Sequence, residues 1–225
     1  MVHVIRLAFS ANPNIGLYAY TTDTRTLVGE SVTQKETHSL SEALQTSIYH
    51  MSICGTSLLG IFLIGKDDIL CVPDIAFDHE VQALEKMGFT VTKIPTRFTA
   101  LANNVFIHGD ILLANKDMEE VAVELIAKTC QCSTIKRIHV ADTDVVGSSI
   151  VATKNGGLVH YDMSDEQIEQ LEKLLDIPLT PATVNNGSPY IKSAIICNTH
   201  GFAIGTASTG PEIVNADEGL GFIQK

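Results

Sequence analysis

An apolar residue followed by a small one recurs five times along this chain at almost constant spacing. The pairs are Ile15-Gly16, Leu59-Gly60, Leu101-Ala102, Val146-Gly147 and Ile191-Lys192, separated by 44, 42, 45 and 45 residues. Ala102 and Lys192 depart from glycine, so the copies have drifted. A period of this length marks one supersecondary unit copied along the chain, and it constrains the fold more than any single motif.

The fourth copy is the clearest. Residues 148–152 read as a strand, Asn155-Gly156 as a two-residue hairpin turn, and Leu158–His160 as the returning strand. Ser164 reads as a helix N-cap, with Gln167 completing a capping box and Asp165 and Glu166 in the first turn. Ile168, Leu171, Leu174 and Leu175 share one face of that helix, and Pro178 ends it. Leu179–Val184 then reads as a third strand. The unit is strand, strand, helix, strand.

The other copies keep this order. Turn residues follow the anchors at Thr22–Thr24, Lys66–Asp68, Gly109-Asp110 and Asn198–Gly201. Helices are expected near Ser41–Ile48, Asp78–Met87 and Met118–Lys128, with a shorter one from Pro211-Glu212. Third strands are expected at Ile48–Ile53, Thr90–Ile94 and Ser133–Val140. The fifth copy lacks one, yet His3–Phe9 lies ahead of the first anchor at the matching offset. The economical solution is a single domain, 1–225, closed by its own N-terminus. Its repeats are 10–54, 55–98, 99–142, 143–186 and 187–225, with strand 3–9 completing the last. The expected fold is a closed five-bladed α/β propeller with fivefold pseudosymmetry and β-β-α-β repeats of about 44 residues. An open solenoid is the alternative, and the orphan first strand argues against it.

Charge narrows the function. Twenty-six acids against 15 Lys and Arg leave a net charge of −11. Gripping nucleic acid through its phosphates calls for the opposite sign, so DNA or broad RNA binding is disfavoured and a basic protein surface fits better. No apolar run reaches the roughly 20 residues that span a bilayer, so no membrane association is expected. The first residues lack a basic cluster followed by an apolar core, so no signal peptide is expected and the location is read as cytoplasmic. Five cysteines, odd in number and mostly in apolar stretches, suit reduced thiols.

Catalytic and metal signatures are weak. The eight histidines sit at different offsets from the anchors, Cys130-x-Cys132 lacks a second pair, and the glycines form no nucleotide-binding fingerprint. No metal or cofactor is expected. Symmetry-equivalent loops of a ring gather at one end, where binding residues on a rigid scaffold are expected. There Gly16, Gly60 and Gly147 read as permitting tight packing. Asn14, Asn103 and Ser148 read equally as contact residues or turn caps.

Five strand–strand–helix–strand units resemble the pentein fold. Six strings in order, NIGLYA, GTSLLG, RFTALANN, VVGSSIVATKNGGLVH, ATVNNGSPYI and STGPEI, narrow the resemblance to the translation initiation factor 6 family, archaeal in type. Departures are Ala102 in place of glycine, Tyr161 in place of proline and Lys192 in place of a small residue. They lie near the repeat starts and bear on partner affinity. The resemblance implies a non-enzymatic monomer that binds the large ribosomal subunit, against basic ribosomal proteins near the sarcin–ricin loop. There it would prevent association with the small subunit, as a factor of initiation and ribosome biogenesis. The candidate ribosome-binding set is Asn14, Gly16, Leu59, Gly60, Asn103, Gly147, Ser148, Ile191 and Lys192. The alternative is a pentein-fold guanidine-modifying hydrolase or transferase using Cys197, which sits in an apolar run where a buried, inert thiol is expected.

Overall fold

The computed structural model describes residues 3–141 and 143–223. Its strands form five separate three-stranded sheets. In the first, Ala19–Thr21 runs antiparallel to Arg25–Gly29, and Ser47–Met51 lies parallel on the other side. The next three repeat this pattern, with outer parallel strands Thr90–Ile94, Thr134–Ile138 and Leu179–Ala182. In the fifth, Ile195–Cys197 pairs antiparallel with Phe202–Gly205, and the parallel third strand is Val4–Leu7 from the opposite end of the chain. The register sets Val4 against Phe202 and Leu7 against Gly205. Phe222 stacks on both Phe202 and His3, at 5.6 and 5.5 Å between ring centroids.

Each sheet is entered through a single helical turn: Ile15–Leu17, Leu59–Phe62, Leu101–Asn104, Val146–Ser148 and Ile191–Ala194. The leading apolar residue of all five turns is 0% exposed. These turns touch one another in a cycle, first to second, third, fourth, fifth and back to first. The glycines permit this approach. A Cβ on Gly16 would sit 1.8 Å from the Lys192 carbonyl oxygen, on Gly60 1.8 Å from that of Gly16, and on Gly147 2.2 Å from that of Ala102.

The core follows the same order. Its clusters form between neighbouring repeats: Leu27 and Met51 pack with Leu59, Leu70 and Leu84, and Val151 and Leu158 with Ile191, Phe202 and Ile204. One cluster joins first and last, with Phe9, Ile15, Leu40 and Leu44 against Ile196 and Ala203. Full burial of such a side chain is worth about 1.5–3 kcal/mol, so each repeat is stabilised largely by its neighbours.

Three local expectations need correction. The first long helix is Gln34–Leu44, not Ser41–Ile48. Thr33 and Glu36 form its capping box, Leu40, Ala43 and Leu44 are its buried face, and Gln45 at φ +53° stops it. The helix after Thr209 is ten residues, Gly210–Gly219, and so no shorter than the nine of Asp78–Lys86. Neither Asn155 nor Gly156 adopts a left-handed φ. That hairpin closes through Thr153 N–H donating to Gly156 O at 2.9 Å, while Gly156 packs where a Cβ would meet Gly219 O at 2.4 Å. Among the described residues no helix is long and apolar enough to cross a membrane.

Candidate functional site

The approach to every single-turn helix except the third is a tight turn closed by backbone hydrogen bonds. Phe9 and Asn12 exchange backbone hydrogen bonds at 3.0 and 2.9 Å, as do Ile53 and Thr56, Val140 and Thr143, and Val184 and Ser188. The described residues between are left-handed although most are not glycine: Ser10 (+50°), Ala11 (+64°), Cys54 (+53°), Ala141 (+49°), Asn185 (+49°) and Asn186 (+65°). Such conformations cost roughly 1 kcal/mol or more each for a residue with a Cβ.

In the first, second and fifth repeats a carboxylate near the start of the following long helix offsets that strain, and Glu119 holds the approach in the third. Glu36 accepts from Ser10 N at 2.7 Å, and Glu80 from Cys54 N and Gly55 N at 2.8 and 2.9 Å. Glu119 accepts from Thr96 Oγ1 at 2.6 Å and Arg97 N at 3.3 Å. Glu212 accepts from Asn186 N, Gly187 N and Thr183 Oγ1 at 3.1, 2.9 and 2.9 Å. Burial alone would raise the Glu36 and Glu212 carboxyls, but these N–H and O–H donors outweigh it and hold both below the ordinary value. The Thr96 hydroxyl leads in lowering Glu119. The result is a collar of hydrogen-bonded carboxylates around the turns.

Inside the collar the single-turn helices enclose a polar well of about 300 Å³. Asn14 comes from the first repeat, Asn103 from the third, Ser148 from the fourth, and Ser188, Tyr190 and Ser193 from the fifth. Asn14 Oδ1 accepts from Asn185 Nδ2 at 3.1 Å, and Ser193 Oγ donates to Tyr190 O at 2.7 Å. The Asn103 amide and the Ser148 hydroxyl have no hydrogen-bond partner among the described residues. They are donors and acceptors held ready by a rigid frame.

Lys192 reaches across the middle of the cycle. Its repeat touches the first and fourth, yet its Nζ donates to Ala102 O of the third at 3.0 Å. Burial pulls the ammonium down to about 8. A second cavity of about 190 Å³ lies beyond it, lined by strand residues such as Ile64, Val105, Ile150 and Ile195.

The sequence-derived candidates divide cleanly. Asn14, Asn103, Ser148 and Lys192 line the well with Gly16 and Gly60. Leu59 and Ile191 have no exposed surface and serve the core, and Gly147 is buried against the Ala102 and Val105 carbonyls. Leu17, Ser188, Tyr190 and Ser193 complete the well and are not among the residues singled out from sequence. Ser193 could have been, since it occupies the same offset as Asn103 and Ser148. Cys197 lies at the second cavity, and burial, then Asp23, push its thiol up to about 12. That is the reverse of what a nucleophilic cysteine requires.

Comparison with known proteins gives a consistent picture. The model of the eIF-6 family matches residues 4–218. A Saccharolobus solfataricus protein named translation initiation factor 6 is 32% identical over 218 residues, spanning 96% of this chain and 98% of its own length. A Saccharolobus islandicus protein of the same name is 31% identical with the same coverage. One from Pyrococcus horikoshii is 29% identical over 233 residues, spanning 99% of this chain and all of its own.

Proposed function

We propose, from the premise that this chain belongs to the eIF-6 family, that it is a translation initiation factor that binds the large ribosomal subunit and blocks its association with the small one. The observation that carries this reading is the well, where Asn103 and Ser148 present unengaged polar groups at one end of a rigid repeated frame. A bound protein of this size obstructs a second subunit sterically, and no bond needs to break. The frame is read as one closed five-bladed ring over the whole chain, because the N-terminal strand joins the fifth sheet and the first and last repeats share a core cluster and a helix contact.

The partner surface is read as basic ribosomal protein near the sarcin–ricin loop. The net charge of −11 supports this, since an acidic protein steers a cationic surface and fixes its orientation. The elevated Cys197 thiol supports a binding role over guanidine chemistry. The factor is taken to act as a cytoplasmic monomer.

Co-sedimentation with purified subunits tests the proposal. The expected outcome is saturable one-to-one binding to large subunits, none to small subunits, and weaker binding as salt rises. Asn103→Lys should weaken binding by about tenfold or more, the scale of one charge misplaced in an interface. The outer-helix control is Glu169→Lys, a side chain 69% exposed. Glu172 is unsuitable as a control because its carboxylate accepts from Leu179 N at 2.8 Å. Equal losses from the two variants would sink the proposed face.

A further inference from the structure

At the positions equivalent to residue 192 the other repeats carry Gly16, Gly60, Ala102 and Gly147, and a single cation stands among them. The Lys192 ammonium has three N–H donors and one protein acceptor, Ala102 O. No carboxylate lies within ion-pair distance among the described residues, and none lines either cavity it borders. The other titratable groups lining these cavities are Tyr20, Cys197 and Tyr190. Burial raises the first two, so neither supplies a counter-charge at neutral pH. A part-buried ammonium without a counterion is unfavourable, and it recruits an anion where space and donors exist. The Asn103 amide and the Ser148 hydroxyl supply those donors, in a well of about 300 Å³.

We propose that Lys192, Asn103 and Ser148 form a binding site for a small monocarboxylate. One ammonium balances one negative charge, whereas a phosphate dianion would leave excess negative charge in a protein already at −11. Carboxylate oxygens also accept charge-assisted bonds from an ammonium and neutral bonds from an amide at once. The site does not depend on ribosome binding and is tested on the isolated full chain.

The test is acetate titration near pH 7, at ionic strength held constant with potassium chloride, followed by calorimetry and by the ¹⁵N signal of the Lys192 side chain. Acetate should saturate and shift that signal, with phosphate binding more weakly. Lys192→Met keeps the stem and removes the charge, and should lose acetate affinity about tenfold or more, one charge-assisted bond's worth. Should that variant fail to fold, raising the wild type to about pH 10 neutralises the ammonium and should produce a comparable loss. An unchanged acetate response in Lys192→Met, a flat pH profile, no saturation, or tighter binding of phosphate would each overturn the proposal.

Discussion

The fourth and fifth repeats face the same two problems and solve them differently. Both must bring a helical turn against its neighbours, and both must hold the strained turn that precedes it. The fourth uses Gly147, with the Ala102 and Val105 carbonyl oxygens 2.2 and 2.5 Å from where a Cβ would be. The fifth carries Lys192 and sends the side chain across the centre. For the preceding turn, the fifth uses Glu212, which takes three donors from that turn and two from its own Thr209 cap, all at 2.7–3.1 Å. The fourth has Gln167, which among the described residues accepts only from Ser164 N, at 3.4 Å. The frame therefore fixes backbone paths more strictly than side chains, and its repeats are free to differ where they meet the centre.

The sharpest way to break this comparison is to exchange the two central solutions. Gly147→Ala forces backbone against backbone with no flexible end to move, and should cost about 3 kcal/mol or more. Lys192→Gly loses one hydrogen bond and some helix propensity but also removes a part-buried charge that lacks a carboxylate partner among the described residues. It should stay within about 1 kcal/mol of the parent. Urea unfolding of both variants checks this. Similar losses would show that the lysine is as tightly required as the glycine.

The turn clamp comes next in size. In Glu212→Gln one amide oxygen replaces two carboxylate oxygens, and at least two of the five donors lose their acceptor. The expected cost is about 2–3 kcal/mol at neutral pH. The sign with pH follows from the lowered carboxyl. Its folded value lies below the ordinary 4.5, so its stabilisation is complete above that range and is lost as pH falls below it. The gap between parent and variant should therefore narrow from about pH 6 to about pH 3, as read by thermal unfolding at each pH.

The repeat period, the Ser164–Gln167 cap and most third strands were legible because they depend on residues close in sequence. Thr33 and Glu36 carry the same cap signature as Ser164 and Gln167, and they start the first helix well ahead of the expected Ser41. The clamps were half legible. An acid three places past Thr33 or Thr209 reads as a cap, but its second role lies in a turn about 25 residues earlier, which only the fold brings near. The well was least legible. Asn14, Asn103 and Ser148 could be nominated from their offsets, yet Lys192 meeting Ala102 across 90 residues is a property of the assembled cycle.

The smallest effect asks whether a carboxylate alone makes a clamp. Gln167→Glu places in the fourth repeat the residue type that Glu36, Glu80 and Glu212 provide in the first, second and fifth. Two contributions oppose each other. A negative charge in the first turn of helix Asp165–Leu175 gains about 0.3–1 kcal/mol from the helix dipole. Asp165 and Glu166 are already there, and a third acid repels them. With no backbone N–H of the preceding turn donating to Gln167 among the described residues, the net gain should be about 0.5 kcal/mol or less at neutral pH. It should vanish below the carboxylate range. A gain matching the Glu212→Gln loss would instead mean that the fourth turn is already shaped to receive a carboxylate, and that the two repeats differ in one side chain rather than in design.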